Sequence, residues 1–271
     1  MAEEQKEMSF LGHLEELRWH LVRSTAVIFF LAIVFFIFAK EVYTHFLLAH
    51  LKPDFITYEL FCDLFNVFGM DSDFCNVSFA KNKLQSIKVT SQLMNSIWSS
   101  LILGVIVSFP YILWEIWRFI SPGLTEKEIK KSKGFLFIAS LLFFIGVLFS
   151  FYVIAPISIN FLYNYQITDA IENNFTLESH IGLVTNMLLG VSILFELPVL
   201  VYFLTKIGLI TPEFLKKYRK HALVVVLILA AIITPPDVAS QIVVAIPILI
   251  LYEISIKVSR RVIKNQEKNA N

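Results

Sequence analysis

Apolar residues in this chain come in long unbroken runs, without the polar face that a water-exposed helix or strand carries. Six runs can be marked: about Val22 to Ala39, Ile97 to Trp117, Phe135 to Ile157, Ile181 to Leu204, Ala222 to Thr234 and Val238 to Ile256. A helix needs about 20 apolar residues to cross a bilayer core, and only helices or closed barrels satisfy their backbone groups there. The pattern therefore predicts an all-α, polytopic membrane protein with six transmembrane helices. The fifth run is short, since roughly 13 helical residues reach about 20 Å against a core of about 30 Å. Either its helix borrows flanking residues such as Tyr218 and His221, or the bilayer thins around it. Pro235 and Pro236 separate it from the sixth, because proline cannot continue a helix and restricts the residue before it. Pro110, Pro156, Pro198 and Pro247 punctuate the other spans. They predict bent helices in a curved, concave bundle, or are simply tolerated, as proline often is in membrane helices.

Composition agrees: 56% of the residues are hydrophobic, 17% are charged, and 26 are Phe. A soluble protein carries about 25% charged residues. The net charge of +1 excludes nothing, but the distribution of charge is informative. Lys and Arg gather before the first span, between the second and third, between the fourth and fifth, and after the sixth. The connection from Ser158 to His180 has none, and neither has Pro235-Pro236-Asp237. Positive loops stay inside, so both termini are predicted to be cytoplasmic. The acidic N-terminus lacks the basic start of a cleavable signal, so the first run is expected to stay as an anchor. The expected organisation is a cytoplasmic segment over 1–21, a membrane domain over 22–257 and a basic tail over 258–271. A long outward loop, about 40–94, contains a stretch over 58–82 that looks like an insertion. Cys62 and Cys75 both lie in that stretch, and on an outer face they can form a disulfide, although spacing alone does not fix the geometry.

The polar residues that interrupt this pattern carry the candidate chemistry. Glu196 is the single charged residue between Ile181 and Leu204. A carboxylate in a span costs about 2.5–3.5 kcal/mol on insertion scales, so it is expected to face a cavity or a partner. Before the first span, Phe10, Leu14, Leu17 and Leu21 fall on one helical stripe, with Glu16 nearly opposite, Glu15 to one side and Arg18 at the edge. Glu16 then faces water or a partner. Thr125 with Glu128 forms a capping box, which by itself would account for Glu128, yet both Glu16 and Glu128 are cytoplasmic carboxylates able to accept an arginine fork. Thr211-Pro212-Glu213 reads as a helix start, and Asp237 as an N-cap.

Several short segments follow one another in a recognisable order. They are His13-Leu14-Glu15-Glu16-Leu17-Arg18; Pro110 with Trp114 and Trp117; Ser121-Pro122-Gly123-Leu124 with Glu128; Phe195-Glu196-Leu197-Pro198; and Thr234-Pro235-Pro236-Asp237 with Gln241 and Glu253. This ordered set resembles the TatC family along nearly the whole chain. The resemblance implies the receptor core of the twin-arginine translocase, which exports folded proteins bearing paired arginines in their signal peptides and uses the proton-motive force. Glu16, Arg18 and Glu128 would then bind the signal peptide. Glu196 and Gln241 would be the intramembrane polar residues where single-span TatA/TatB-like subunits dock, and Pro110, Pro122, Gly123, Pro198, Pro235, Pro236 and Asp237 would be structural motif positions. Lipids and further copies of the chain are the other implied partners, in a bacterial cytoplasmic membrane, with no cofactor and no nucleic acid. The long first loop and the segment Ser91-Gln92-Leu93-Met94, which lacks the expected aromatics, depart from the family pattern.

Two other classes compete. A secondary transporter could use Glu196 as a proton or substrate carboxylate, but no inverted repeat is visible, and no other span is expected to carry a carboxylate near its middle. An intramembrane protease would need a paired constellation, and Ser192 is expected to have no span histidine as partner. The expectation is therefore a protein that binds and does not catalyse.

Overall fold

The computed structural model describes residues 10–67, 84–121, 126–168, 170–171, 173–234 and 238–270. They form helices α1 (Phe10–Ile37), α2 (Ala39–Val42), α3 (Ile56–Val67), α4 (Ser91–Ile120), α5 (Glu126–Phe149) and α6 (Ala155–Asn164). Then follow α7 (Leu177–Phe195), α8 (Leu197–Lys206), α9 (Pro212–Lys217), α10 (Arg219–Ile233) and α11 (Val238–Ala270). Five stretches are long and apolar enough to cross a membrane: Leu14–Ile37, Ser91–Ile120, Gly134–Asn164, Leu177–Lys206 and Ser240–Glu267. They coincide with five of the six apolar runs. The remaining run, the fifth, is α10, whose 15 residues reach only about 22 Å. That helix takes in His221 but leaves Tyr218 in the turn before it. The chain is thus an all-α, multi-pass membrane protein.

Prolines act in two ways. Helices α4 and α11 run unbroken through Pro110 and Pro247. Pro156 and Pro198 instead sit in the first turns of α6 and α8, where a missing N–H costs nothing. A π-helical turn at Ser150–Ile154 leads from α5 into α6. Helix α1 runs without interruption from Phe10 to Ile37, through the predicted cytoplasmic segment and into the span.

The chain divides into two compact units, one from Met1–Ala39 with Ser96–Ser140 and the other from Lys40–Asn95 with Leu141–Asn271. In the first, α1 crosses α4 at Gly104. A Cβ there would lie 2.9 Å from the Ile28 carbonyl oxygen and 3.0 Å from the Ala32 nitrogen, so only glycine admits this approach.

In the second unit, the start of the outward loop is packed. His50 is fully buried, with its Nε2 2.8 Å from the Phe151 carbonyl oxygen, and the Tyr58 hydroxyl donates to the His50 carbonyl at 2.9 Å. Burial holds the His50 imidazole well below its ordinary range, at about 4. His180 joins the Tyr163 hydroxyl at 3.0 Å and the Leu47 carbonyl at 3.3 Å. Tyr58 is 1% exposed, so the first residue of the stretch that looks like an insertion is part of this packed region. Cys62 lies on α3, while Cys75 and residues 68–83 lie outside the described residues. At the other end of the unit, Val201, Leu215 and Ile256 form an apolar cluster joining α8, α9 and α11. Thr211 caps α9 by accepting from the Phe214 N–H at 3.2 Å, as its sequence predicts.

Candidate functional site

In the first unit, the predicted cytoplasmic end of α1 carries Glu16 and, one turn later, His20. Residues four apart share a helix face. Glu16 is half-buried, and its Oε2 is shielded with no hydrogen-bond partner among the described residues. His20 is 7% exposed, and its Nδ1 bonds Oε2 of Glu115, which is 1% exposed. Tyr111 donates to the other Glu115 oxygen at 2.8 Å, and an Arg118 guanidinium nitrogen stands 3.9 Å from it. Arg118 also lies over the Trp114 ring, 4.8 Å from its centroid.

The sequence did not point to Glu115. It sits in the predicted second span close to its inner end, and its partner His20 lies 95 positions away. A carboxylate flanked by Trp114 and Trp117 was the available signal. Glu115 lies inside the predicted run Ile97 to Trp117 but near the end of α4, so the expectation that no span but the fourth carries a carboxylate near its middle is not affected.

The other predicted residues of this surface are distributed as follows. Leu14 and Leu21 of the apolar stripe are exposed on the surface of the unit, and Glu16 opposite them turns inward. In a membrane the apolar stripe faces lipid, so the polar side of the wheel is the protein side. Arg18 is exposed, its guanidinium over the Trp19 ring at 5.7 Å, and it lines a groove of about 540 Å³ with Leu14, Leu17 and Leu21. Arg18 and Glu16 therefore leave the helix on different sides. Glu128 lies in the first turn of α5, with its side chain outside the described residues, and Pro122 and Gly123 lie outside them altogether.

In the second unit, Glu196 occupies the break between α7 and α8. Its N–H donates to the Ile193 carbonyl at 3.1 Å, and its own carbonyl accepts from Val199 and Leu200, each at 2.9 Å. Pro198 in the first turn of α8 makes the break. Both carboxyl oxygens are shielded and make no hydrogen bond among the described residues; the Phe143 backbone is near, but not at bonding geometry. Close packing sets this position, since a Cβ on Gly146 would stand 2.8 Å from the Ser192 Cα and 3.0 Å from the Phe195 side chain. Gln241 donates to the Leu227 carbonyl at 3.0 Å and so ties α11 to α10. Glu253 pairs with Arg219 at 2.7 Å on the surface. Pro235, Pro236 and Asp237 lie outside the described residues.

Helix α7 starts ahead of the predicted run at Ile181, which bears on the expectation that Ser192 has no span histidine as partner. His180 lies on α7 together with Ser192. The two are nevertheless about 18 Å apart along the axis. Ser192 donates to the Leu188 carbonyl and His180 bonds Tyr163 and Leu47, so they form no nucleophile–base pair. Among the described residues no group of His, Cys, Asp and Glu is arranged to hold a metal ion.

A multi-pass protein with unpartnered carboxylates at a span end and inside a broken span has the character of a membrane transport component. The family model for the Sec-independent protein translocase protein (TatC) matches residues 12–247. The translocase protein TatC of Blattabacterium sp. subsp. Periplaneta americana is 40% identical over 98% of this chain and 100% of its own length. That of Carboxydothermus hydrogenoformans is 36% identical over 95% of each chain. A crystal structure of the twin-arginine translocase receptor TatC superposes with a TM-score of 0.67 at 30% identity, covering 92% of this chain and 99% of that one. A second, in DDM, gives 0.70 at 32% identity, covering 90% and 97%. The chain belongs to the TatC family and is a component of the Sec-independent protein translocase.

Proposed function

We propose that this chain is the receptor core of the twin-arginine translocation system. It binds the twin-arginine signal peptides of folded proteins on the cytoplasmic side and nucleates a translocase driven by the proton-motive force. The observation that carries this reading is the Glu16 carboxylate, which is half-buried with one oxygen shielded and unpartnered. Leaving such an oxygen unmade costs about 1–3 kcal/mol, which an incoming donor recovers. An arginine fork offers paired, charge-assisted N–H groups, whereas lysine offers a point charge. Glu128 supplies the second carboxylate, and exposed Arg18 extends the surface along the outer side of α1. Glu196 is the intramembrane docking point for TatA/TatB-like single-span subunits, while Gln241 supports it by holding α10 on α11. The working assembly is a larger complex with further copies of this chain, in the bacterial inner membrane.

The test is photocrosslinking from position 17, beside an intact Glu16, to precursors bearing Arg-Arg or Lys-Lys. The expected result is a crosslink that needs the arginine pair and is lost in Glu16→Ala or Glu128→Ala, with each variant still inserted. Equal crosslinking to both precursors would leave only membrane proximity and overturn the site. The unpartnered Glu196 in a broken span keeps a transporter reading in view; no crosslink to either precursor, together with flux through the purified protein, would favour it.

A further inference from the structure

We infer that Glu115, acting through His20, is a positioning residue that sets which way Glu16 faces, an inference that rests on the receptor reading for its functional consequence. Helix α1 has few anchors. From Leu14 to Ile37 only His20 and Ala32 are buried. Ala32 marks the Gly104 crossing, and His20 marks the bond to Glu115. The two anchors are matched in spacing. From the Ile28–Ala32 midpoint back to His20 is about 15 Å of helix, and from Gly104 on to Glu115 is about 16 Å. The helices therefore run antiparallel and are pinned at both ends of that interval.

The two pins differ in kind. A crossing at glycine fixes distance but resists rotation weakly, because it offers no side chain to grip. The Glu115 pin is directional. Its carboxylate takes His20 on one oxygen and Tyr111 on the other, with Arg118 nearby. Near the C-terminal end of α4, where the helix dipole disfavours an anion, such a carboxylate is sustained only by these partners. Among the described residues the bond is the last side-chain hydrogen bond from α1 to α4 before Glu16, one turn beyond. Glu16 and Leu14 lie 200° apart on the helix, so any rotation that exposes one buries the other.

The test uses the full-length chain in inverted membrane vesicles. Single cysteines replace Glu16 or Leu14 and are labelled with a membrane-impermeant maleimide. Glu115→Leu is expected to speed labelling at 16 and slow it at 14, each severalfold. Exchanging the pair, by His20→Glu with Glu115→His, is expected to restore both rates. With Glu16 intact, Glu115→Leu is expected to abolish the preference for Arg-Arg over Lys-Lys in crosslinking from position 17, at unchanged protein level. Rates that rise together at 14 and 16 would show loosening without rotation and overturn the inference. So would unchanged rates, or an exchanged pair that labels like Glu115→Leu. If the unmodified protein itself shows no arginine preference, the receptor reading fails, while the labelling still judges the positioning role.

Discussion

Replacing Glu196 by leucine should stabilise the protein while removing its function. Both carboxyl oxygens of Glu196 are shielded and unbonded, and its place in the α7–α8 break is held by backbone bonds and by the Gly146 contact with Ser192 and Phe195. A polar group buried without a partner costs about 1–3 kcal/mol, and leucine carries none. For a chain of this size each 1 kcal/mol moves an unfolding midpoint by about 2–4 °C, so the gain corresponds to roughly 2–12 °C. The assay is apparent thermal stability of purified protein in detergent, followed by chromatography after heating, beside co-purification of single-span subunits from membranes. The expected outcome is a higher midpoint with loss of co-purification. A lower midpoint, or failure of Glu196→Leu to accumulate, would refute the reasoning, because the carboxylate would then be holding the fold together.

Two further predictions follow from packing and burial. Gly104→Val should cost about 1–3 kcal/mol, because its Cβ meets the backbone of Ile28 and Ala32, which cannot turn aside. Gly134→Val, where nothing lies within 4 Å, is the control, and equal losses of folded protein in the two would contradict the contact. His50 is neutral in the fold at a pH where the unfolded chain binds a proton, since its value of about 4 lies below the ordinary 6.5. Stability of the outer loop should therefore be full above the ordinary value and fall as pH drops from 6.5 toward 4, by about 3 kcal/mol in all. Limited proteolysis across that range measures it. His50→Phe should flatten the fall, and a wild-type profile just as flat would refute the assignment.

The spans were legible in the sequence because lipid imposes one demand on every residue of a crossing helix, and runs of apolar residues answer it directly. The short α10 and the cap at Thr211 were legible for the same local reasons. What escaped depends on pairs. Glu115 looked like a charge near a span end, because nothing local announces His20. Glu16 could be placed opposite the apolar stripe, but whether that side met water or protein depended on α4. His50 and His180 are ordinary loop and span-end residues until Phe151, Tyr163 and Leu47 are brought to them. Each of these is a contact between residues far apart in the chain, where hydrophobic periodicity carries no information.

The break at Glu196 also divides one crossing between two sets of neighbours. Helix α7 is held by Gly146, by α10 at Gly190 and by the π-helical turn before α6, and touches α11 lightly, whereas α8 rests chiefly on α11 and the Val201–Leu215–Ile256 cluster. The residue at the junction makes no side-chain hydrogen bond. A change of angle between the halves would thus turn the backbone at one place and shift α7 against its lighter contacts with α10 and α11. The crossing is built like a jointed rod whose single knuckle carries the acid group.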